Sequence, residues 1–264
     1  MTPSDAPIQF ERDGAIARIR FNRPPALNAL TRVMAEGLLE ICRTMGSSPD
    51  IRVLVISGTG KAFMAGGDLG YFHEDIAAAP RNAPTLIDPL HAALEILTSL
   101  PQLVIGSLHG AVAGAGVSMA LACDLSIASS DTRFNLAYAR IGTSPDGSAT
   151  WSLPRVVGLH KALELALLAD TFDAAEALRL GIVSRVVAPE ALAEETEKLA
   201  QRLASGPSFA YGKTKQLMRA SFSRSLKDQM EAEKASFIEC AATADFAEGI
   251  GAFFGKRQAQ YTGR

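Results

Sequence analysis

The stretch Val104-Ile105-Gly106-Ser107-Leu108-His109-Gly110-Ala111-Val112-Ala113-Gly114-Ala115-Gly116-Val117-Ser118-Met119-Ala120-Leu121-Ala122 decides how this chain is read. An apolar strand enters a run of glycine and alanine, and the run enters a segment that reads as a buried helix. Small residues allow a close approach to the main chain, and glycine permits turns closed to other residues. The first N–H groups of a helix have no partner within it, so such a start can hold a negative oxygen. The run therefore reads as half of an anion-binding site behind a core strand.

A second loop of the same kind lies upstream. The buried strand at 51–57 leads to Lys61-Ala62-Phe63-Met64-Ala65-Gly66-Gly67-Asp68-Leu69, again small residues before a helix start. Taken singly, each loop is also an ordinary tight strand-to-helix turn. Together they offer two N–H donors that could converge on one oxygen, an arrangement worth about a hundred- to a thousand-fold in rate where an oxyanion develops. Other chemistries fail on spacing. Gly58-Thr59-Gly60-Lys61-Ala62 lacks both the earlier glycine and the hydroxyl of a phosphate loop. There is no dinucleotide glycine fingerprint, Ser118 lacks the flanking glycines of a nucleophile elbow, and His73, His91, His109 and His160 have no metal-ligand spacing.

Outward from these loops the chain alternates strands and helices. Residues 15–21, 51–57, 102–108, 124–128 and 182–187 read as strands. Thr31 is a helix cap ahead of Val33, Met34, Leu38 and Ile41 at helical spacing, and 91–100 and 161–169 read as further helices. Asp173 caps 174–180, with Gly181 ending that helix. Residues 71–89 are polar, alanine-rich and spotted with proline, and read as an irregular, mobile segment. Beyond Pro189 the pattern is helical throughout, at 190–205, 207–220, 226–241 and 246–254. Such alternation predicts a layered α/β core over 1–188, followed by a helical region over 189–264.

A net charge of −2 over 264 residues gives no reason to expect nucleic acid or a membrane surface as the partner. Cys42, Cys123 and Cys240 are scattered and odd in number, which fits free thiols in a reducing cytoplasm better than disulfides or zinc. Residues 1–7 lack the pattern of a secretory leader, and no apolar run is long enough to span a bilayer.

Four ordered motifs carry a family resemblance: Asn22-Arg23-Pro24-Pro25-Ala26-Leu27-Asn28-Ala29-Leu30, then 62–69, 109–124 and 141–158. Together they resemble the crotonase, or enoyl-CoA hydratase/isomerase, superfamily from about residue 9 to the carboxyl end. The resemblance implies a spiral of ββα units with a helical carboxyl-terminal trimerisation region. It implies a homotrimer or dimer of trimers, and an acyl-CoA thioester whose enolate the protein stabilises. No cofactor or metal is implied, CoA being part of the substrate. The oxyanion donors it implies are the N–H groups of Gly67 and Ala115. Ala26, Ala65, Gly66, Asp68 and Leu69 would line the CoA path. Arg23, and more distantly Lys256 and Arg257, are phosphate candidates, though such basic residues are also commonly just solvated.

The chain departs from the family where the chemistry is decided. Hydratases of the family use two glutamates, and those positions hold Ser118 and Tyr138 here. Addition of water needs acid and base groups within reach, so two-glutamate hydration is disfavoured. A carboxylate appears at Asp146 in Gly142-Thr143-Ser144-Pro145-Asp146-Gly147, a stretch that alone reads as a proline-initiated turn. In its wider context it resembles the isomerase branch, which implies Asp146 as a proton shuttle shifting a double bond. Phe63, Met64, Tyr138 and Trp151 are expected to wall an apolar pocket around it. His91 aligns with a histidine of the 4-chlorobenzoyl-CoA dehalogenases, which also use an aspartate at the Asp146 position but carry tryptophan where Tyr138 stands. Hydration by non-standard residues, dehalogenation and a non-catalytic acyl-CoA-binding role remain as alternatives.

Overall fold

A computed structural model describes residues 5–263; the first four residues of the amino-terminal reading lie outside the described residues. The chain begins with a hairpin, β1 (Ile8–Asp13) and β2 (Ile16–Phe21), turned at Gly14 with φ +57°. Helix α1 (Arg32–Gly46) follows, capped as expected by the Thr31 hydroxyl accepting from the Met34 N–H. Its inward stripe is Met34, Ala35, Leu38, Ile41, Cys42 and Met45, whereas Val33 points to solvent.

From there the chain repeats one unit. A long strand enters a large sheet, a short strand enters a small one, and a helix returns. The pairs are β3 (Val53–Gly58) with β4 (Ala62–Met64), β5 (Leu103–Leu108) with β6 (Ala111–Ala113), and β7 (Leu125–Ser129) with β8 (Arg133–Asn135). The first pair is followed by α2 (Leu69–His73) and α3 (Ala79–Ser99), the second by α4 (Ala115–Ala122), and the third by α5 (Ala149–Val157) and α6 (Leu159–Leu168). Next come β9 (Phe172–Asp173), α7 (Ala174–Arg179) and β10 (Arg185–Val187). The large sheet has the order β1-β2-β3-β5-β7-β10 and is parallel except for the opening hairpin. The small sheet has the order β4-β6-β8-β9.

Strand alternation sets the two faces of the large sheet. Leu54 and Ile56 join the main core with α1, α3 and α4, while Val53 and Val55 turn to the opposite face with Ile16 and Ile105. That second face is covered by Ala200 and Ala204 of α8 (Leu192–Ala204). The helical region therefore begins as part of the sheet's own packing. It continues as α9 (Ser208–Ala220), α10 (Leu226–Ala241) and α11 (Ala244–Phe254). A buried ionic tie anchors α9: the Lys215 ammonium meets Asp124 at 2.8 Å and the carbonyls of Leu97 and Gln102, and Arg219 takes the other Asp124 oxygen.

The segment expected to be irregular, 71–89, is helical, forming most of α2, a 3-10 turn at Ile76–Ala78 and the first half of α3. Pro84 and Pro89 lie inside α3, and each removes a helix hydrogen bond. Burial of Leu86 and Leu90 and a 3.0 Å hydrogen bond between the Tyr71 and Thr85 hydroxyls hold this half against the core. The helix read at 91–100 is the continuation of the same element.

Candidate active site

The two glycine-rich loops meet because the short strands before them pair. β4 and β6 run parallel, with Ala62 opposite Ala111 and Met64 opposite Val112, and the Phe63 N–H donates to the His109 carbonyl at 2.8 Å. The glycines are then set by steric necessity. A Cβ on Gly110 would lie 1.9 Å from the Lys61 carbonyl oxygen, and one on Gly116 would lie 2.2 Å from that of Met64. A Cβ on Gly114, whose φ is +49°, would lie 3.4 Å from the Gly66 Cα. The second loop is further tied by a parallel bridge between Leu30 and Gly67, in which Leu30 donates to Gly66 and receives from Asp68. Ala115 opens α4. Among the described residues, neither the Gly67 nor the Ala115 N–H donates to a protein acceptor.

Asn28 is a structural latch that the sequence pattern does not single out. It is fully buried in a left-handed backbone conformation (φ +57°), one that asparagine tolerates. Its amide donates to the carbonyls of Thr59 (2.9 Å) and Ala62 (2.7 Å) and accepts from the Arg23 N–H (2.7 Å). Arg23 in turn pairs with Asp68 at 2.9 Å and donates to the Ala29 carbonyl. Arg23 is thus occupied as a tie between the first motif and the Gly67 loop. Asp68 is also the cap of α2, accepting from Gly70, and the Ala65 N–H donates to Leu27. Ala26 and Ala65 are half-buried beside this knot and Leu69 is exposed.

The carboxylate side of the site is held as tightly. Tyr138 opens a 3-10 turn behind Ala137 (φ +59°), which places its ring tip against Gly114. Its hydroxyl donates to Asp146 Oδ1 at 2.5 Å. Ser118, fully buried on α4, donates to the Asp146 carbonyl at 3.0 Å. The Gly147 N–H donates to His91 Nε2 at 3.0 Å. Burial, and after it the negative charge of Asp146, raises the Tyr138 pKa well above that of an ordinary phenol, so Tyr138 stays protonated and donating. His91, read at a helix start, lies in the middle of α3 with its ring on this turn.

Three wall residues need correction. The Phe63 side chain is fully buried, edge-on to Phe21 with ring centroids 5.7 Å apart, because β4 turns it into the main core. Met64 is likewise buried in that core. Trp151 is half exposed and stacks with Arg155, whose guanidinium lies 3.9 Å from the ring centre. Arg257 is engaged by Glu248. Two cavities flank the site. One of about 280 Å³ is lined by Leu30, Asp68, Tyr71 and Leu86, and Leu86 approaches Gly67. A smaller apolar one of about 140 Å³ is lined by Leu136, Pro145, Ala149 and Leu153.

A spiral of ββα units with two sheets, small-residue loops between them and a helical carboxyl-terminal region defines a protein of the crotonase fold. The solved enoyl-CoA hydratase of Polaromonas sp. JS666 superposes with a TM-score of 0.91 at 32% identity, over 96% of this chain and 99% of that one. The family model described as enoyl-CoA hydratase/isomerase matches residues 11–264. A protein of Rhodobacter capsulatus named probable enoyl-CoA hydratase is 36% identical over 259 residues, 97% of this chain and 98% of its own length. The 1,2-epoxyphenylacetyl-CoA isomerase of Escherichia coli is 33% identical over 250 residues, 94% and 95% of the two chains. The chain belongs to the enoyl-CoA hydratase/isomerase family and is an enzyme of that family.

Proposed function

We propose that this enzyme isomerises enoyl-CoA thioesters, moving a double bond with Asp146 as the only proton carrier. One observation carries the reading: both side chains at the hydratase glutamate positions, Ser118 and Tyr138, are uncharged and spend their hydroxyls on Asp146. Relatives bear both hydratase and isomerase names, so the reading rests on the local chemistry.

The thioester oxygen of a 3-enoyl-CoA accepts from the Gly67 and Ala115 N–H groups, donors fixed before the reaction. Asp146 takes a proton from C2. The C2–H electrons form the C1–C2 double bond of a dienolate whose charge rests on the oxygen in the hole. The same carboxylic acid returns the proton at C4, the C3–C4 double bond shifts to C2–C3, and the 2-enoyl-CoA leaves with Asp146 again ionised. One base serving two carbons needs no second acid and no cofactor, since CoA belongs to the substrate. Substrate would lie along Ala26, Ala65, Gly66, Asp68 and Leu69, with the acyl group toward the two cavities.

Dehalogenation of an aryl-CoA is the second reading, favoured by His91 beside the Asp146 turn. It needs the His91 ring free to take a proton from water, but Nε2 already accepts from Gly147. The test is a panel of 3-enoyl-CoA isomerisation, 2-enoyl-CoA hydration and 4-chlorobenzoyl-CoA chloride release. Isomerisation should dominate and Asp146→Asn should abolish it. Dominant hydration or chloride release overturns the proposal, and tight CoA binding without any turnover points to a binding protein.

The working unit is proposed to be a homotrimer or a dimer of trimers. Helix α10 buries none of its residues in the single chain, and Phe237, Ile238, Phe253 and Phe254 are each more than 60% exposed. Faces of this size and character normally meet another chain. Sedimentation of the purified protein should show a multiple of three; a monomer refutes this.

A further inference from the structure

We propose that Tyr138 is the positioning residue of the Asp146 carboxylate: it holds Oδ1 and leaves Oδ2 as the single oxygen that collects the proton at C2 and delivers it to C4. The inference rests on the reading of Asp146 as the shuttle and goes beyond it, because it assigns the two carboxylate oxygens different tasks.

The main chain around Asp146 is fixed at both ends of the residue. Ser118 donates to its carbonyl and the following N–H donates to His91. Gly147 has φ +59° and no room for a side chain, since a Cβ there would lie 2.8 Å from Ser118 Cβ and 3.0 Å from its Oγ. The turn is therefore seated directly on α4, the helix whose first residue is Ala115. What stays free is the rotation of the carboxylate about its last bond, which would interchange the two oxygens.

Tyr138 removes that freedom. A phenolic O–H donating to a carboxylate makes a charge-assisted hydrogen bond. The tyrosine is held at its main chain, where its N–H donates to the Leu136 carbonyl at 2.7 Å, and a side chain added at Gly114 would meet its ring tip. The ring therefore stands between the start of α4 and the base. Burial and the neighbouring charge keep the phenol protonated, so it competes neither as a base nor as an acid. The proton lifted from C2 then resides on one oxygen facing one face of the dienolate. It breaks from C2, bonds to Oδ2 and moves to C4 with no other carrier. Ser118 and Tyr138, at positions where relatives place acid–base groups, serve here as the mount for a third residue.

The test follows 3-enoyl-CoA deuterated at C2 in ordinary water, with the intact wild-type enzyme and Tyr138→Phe. The wild type should carry measurable deuterium to C4. Tyr138→Phe should keep KM within about twofold, lose about 10- to 100-fold in kcat, and deliver a clearly smaller fraction of label to C4. A Tyr138→Phe enzyme with wild-type kcat and label transfer overturns the inference while leaving the shuttle intact, provided Asp146→Asn is inactive. Complete washout of label by the wild type also overturns it, and needs no variant. Absence of isomerisation by the wild type overturns the shuttle reading and this one with it.

Discussion

Substituting Gly116 by alanine tests whether the two loops owe their geometry to contact. Its φ is not in the left-handed region, so any effect is steric and not conformational. The added methyl would lie 2.2 Å from the Met64 carbonyl oxygen and 3.1 Å from its carbon. Ordinary carbon–oxygen contact requires the start of α4 to retreat from the end of β4 by about 1 Å. Backbone is what must move, so the cost falls at the upper end of overpacking, about 1–3 kcal/mol. The same retreat carries the Ala115 N–H away from Gly67. Displacement of that order costs about a hundredfold in kcat, close to the loss of one oxyanion donor. Ala115→Gly is the paired control: it leaves the N–H in place and should retain kcat within about threefold, since the donor belongs to the backbone. The assays are thermal unfolding and steady-state isomerisation, with CoA binding measured separately. A Gly116→Ala protein that unfolds at the wild-type temperature and turns over at the wild-type rate refutes the idea that close approach of these loops builds the site.

Asn28→Ala should lower stability by about 1–3 kcal/mol for each buried carbonyl it orphans, read as a fall in the urea midpoint, and should lower activity with it; an unchanged midpoint refutes the latch. Asp124→Ala strands the Lys215 ammonium, whose side chain is 3% exposed, and should cost about 3–5 kcal/mol. Lys215→Met should cost less, because Asp124 keeps Arg219 and the Val104 N–H. The reverse order in chemical denaturation rejects the assignment. Burial pushes the Cys42 and Cys123 thiols up to about 12, from 9.0 in the open chain. Their contribution is complete below pH 9 and is lost as pH rises from 9 toward 12, because only the unfolded chain can ionise them there. The Cys42→Ala, Cys123→Ala double variant should show a shallower alkaline decline in melting temperature than the wild type; parallel curves refute it.

Legibility in the sequence followed the length over which a signal could accumulate. The strands β2, β3, β5 and β7 of the large sheet and the helices α1, α7 and α8 to α11 have five or more residues of consistent periodicity or a cap and stop in register, as at Asp173 and Gly181, whereas β1 was not read from the sequence. β4, β6 and β8 have three residues each, too few for a period of two to be told from chance. They form the small sheet that brings the donor loops together. The loops were legible as small-residue turns before helix starts, but their meeting depends on pairings that no local window contains. The first half of α3 was obscured by Pro84 and Pro89, whose local penalty is outweighed by burial of Leu86 and Leu90, a tertiary effect. Phe63 was misplaced for a related reason: in a three-residue strand, its neighbours do not show which face meets the core.

Asn28 and Tyr138 mark where composition and spacing run out. The amide contacts of Asn28 reach 31 and 34 positions along the chain, and only its tolerance of a left-handed backbone was a local sign. Tyr138 lies eight positions from Asp146, close enough to be read as a pocket wall at a missing glutamate, yet nothing local shows that its hydroxyl binds the Asp146 carboxylate. The fold turns that absence into a different device. A glutamate at Tyr138 would place a second negative charge against Asp146, and two like charges at hydrogen-bond distance raise the pKa of one of them. In the proposed mechanism, the phenol and serine hydroxyls are donors without charge, and Asp146 is the ionisable carboxyl they leave to act. Restoring a glutamate at either position should therefore impair isomerisation before it creates hydration. Ser118→Glu would drive a longer, charged side chain into the contact that Gly147 makes with α4, and Tyr138→Glu would remove the bridge between the base and Gly114. On the proposed mechanism the seating of Asp146 depends on both residues, and a one-residue exchange is not expected to convert isomerisation into hydration.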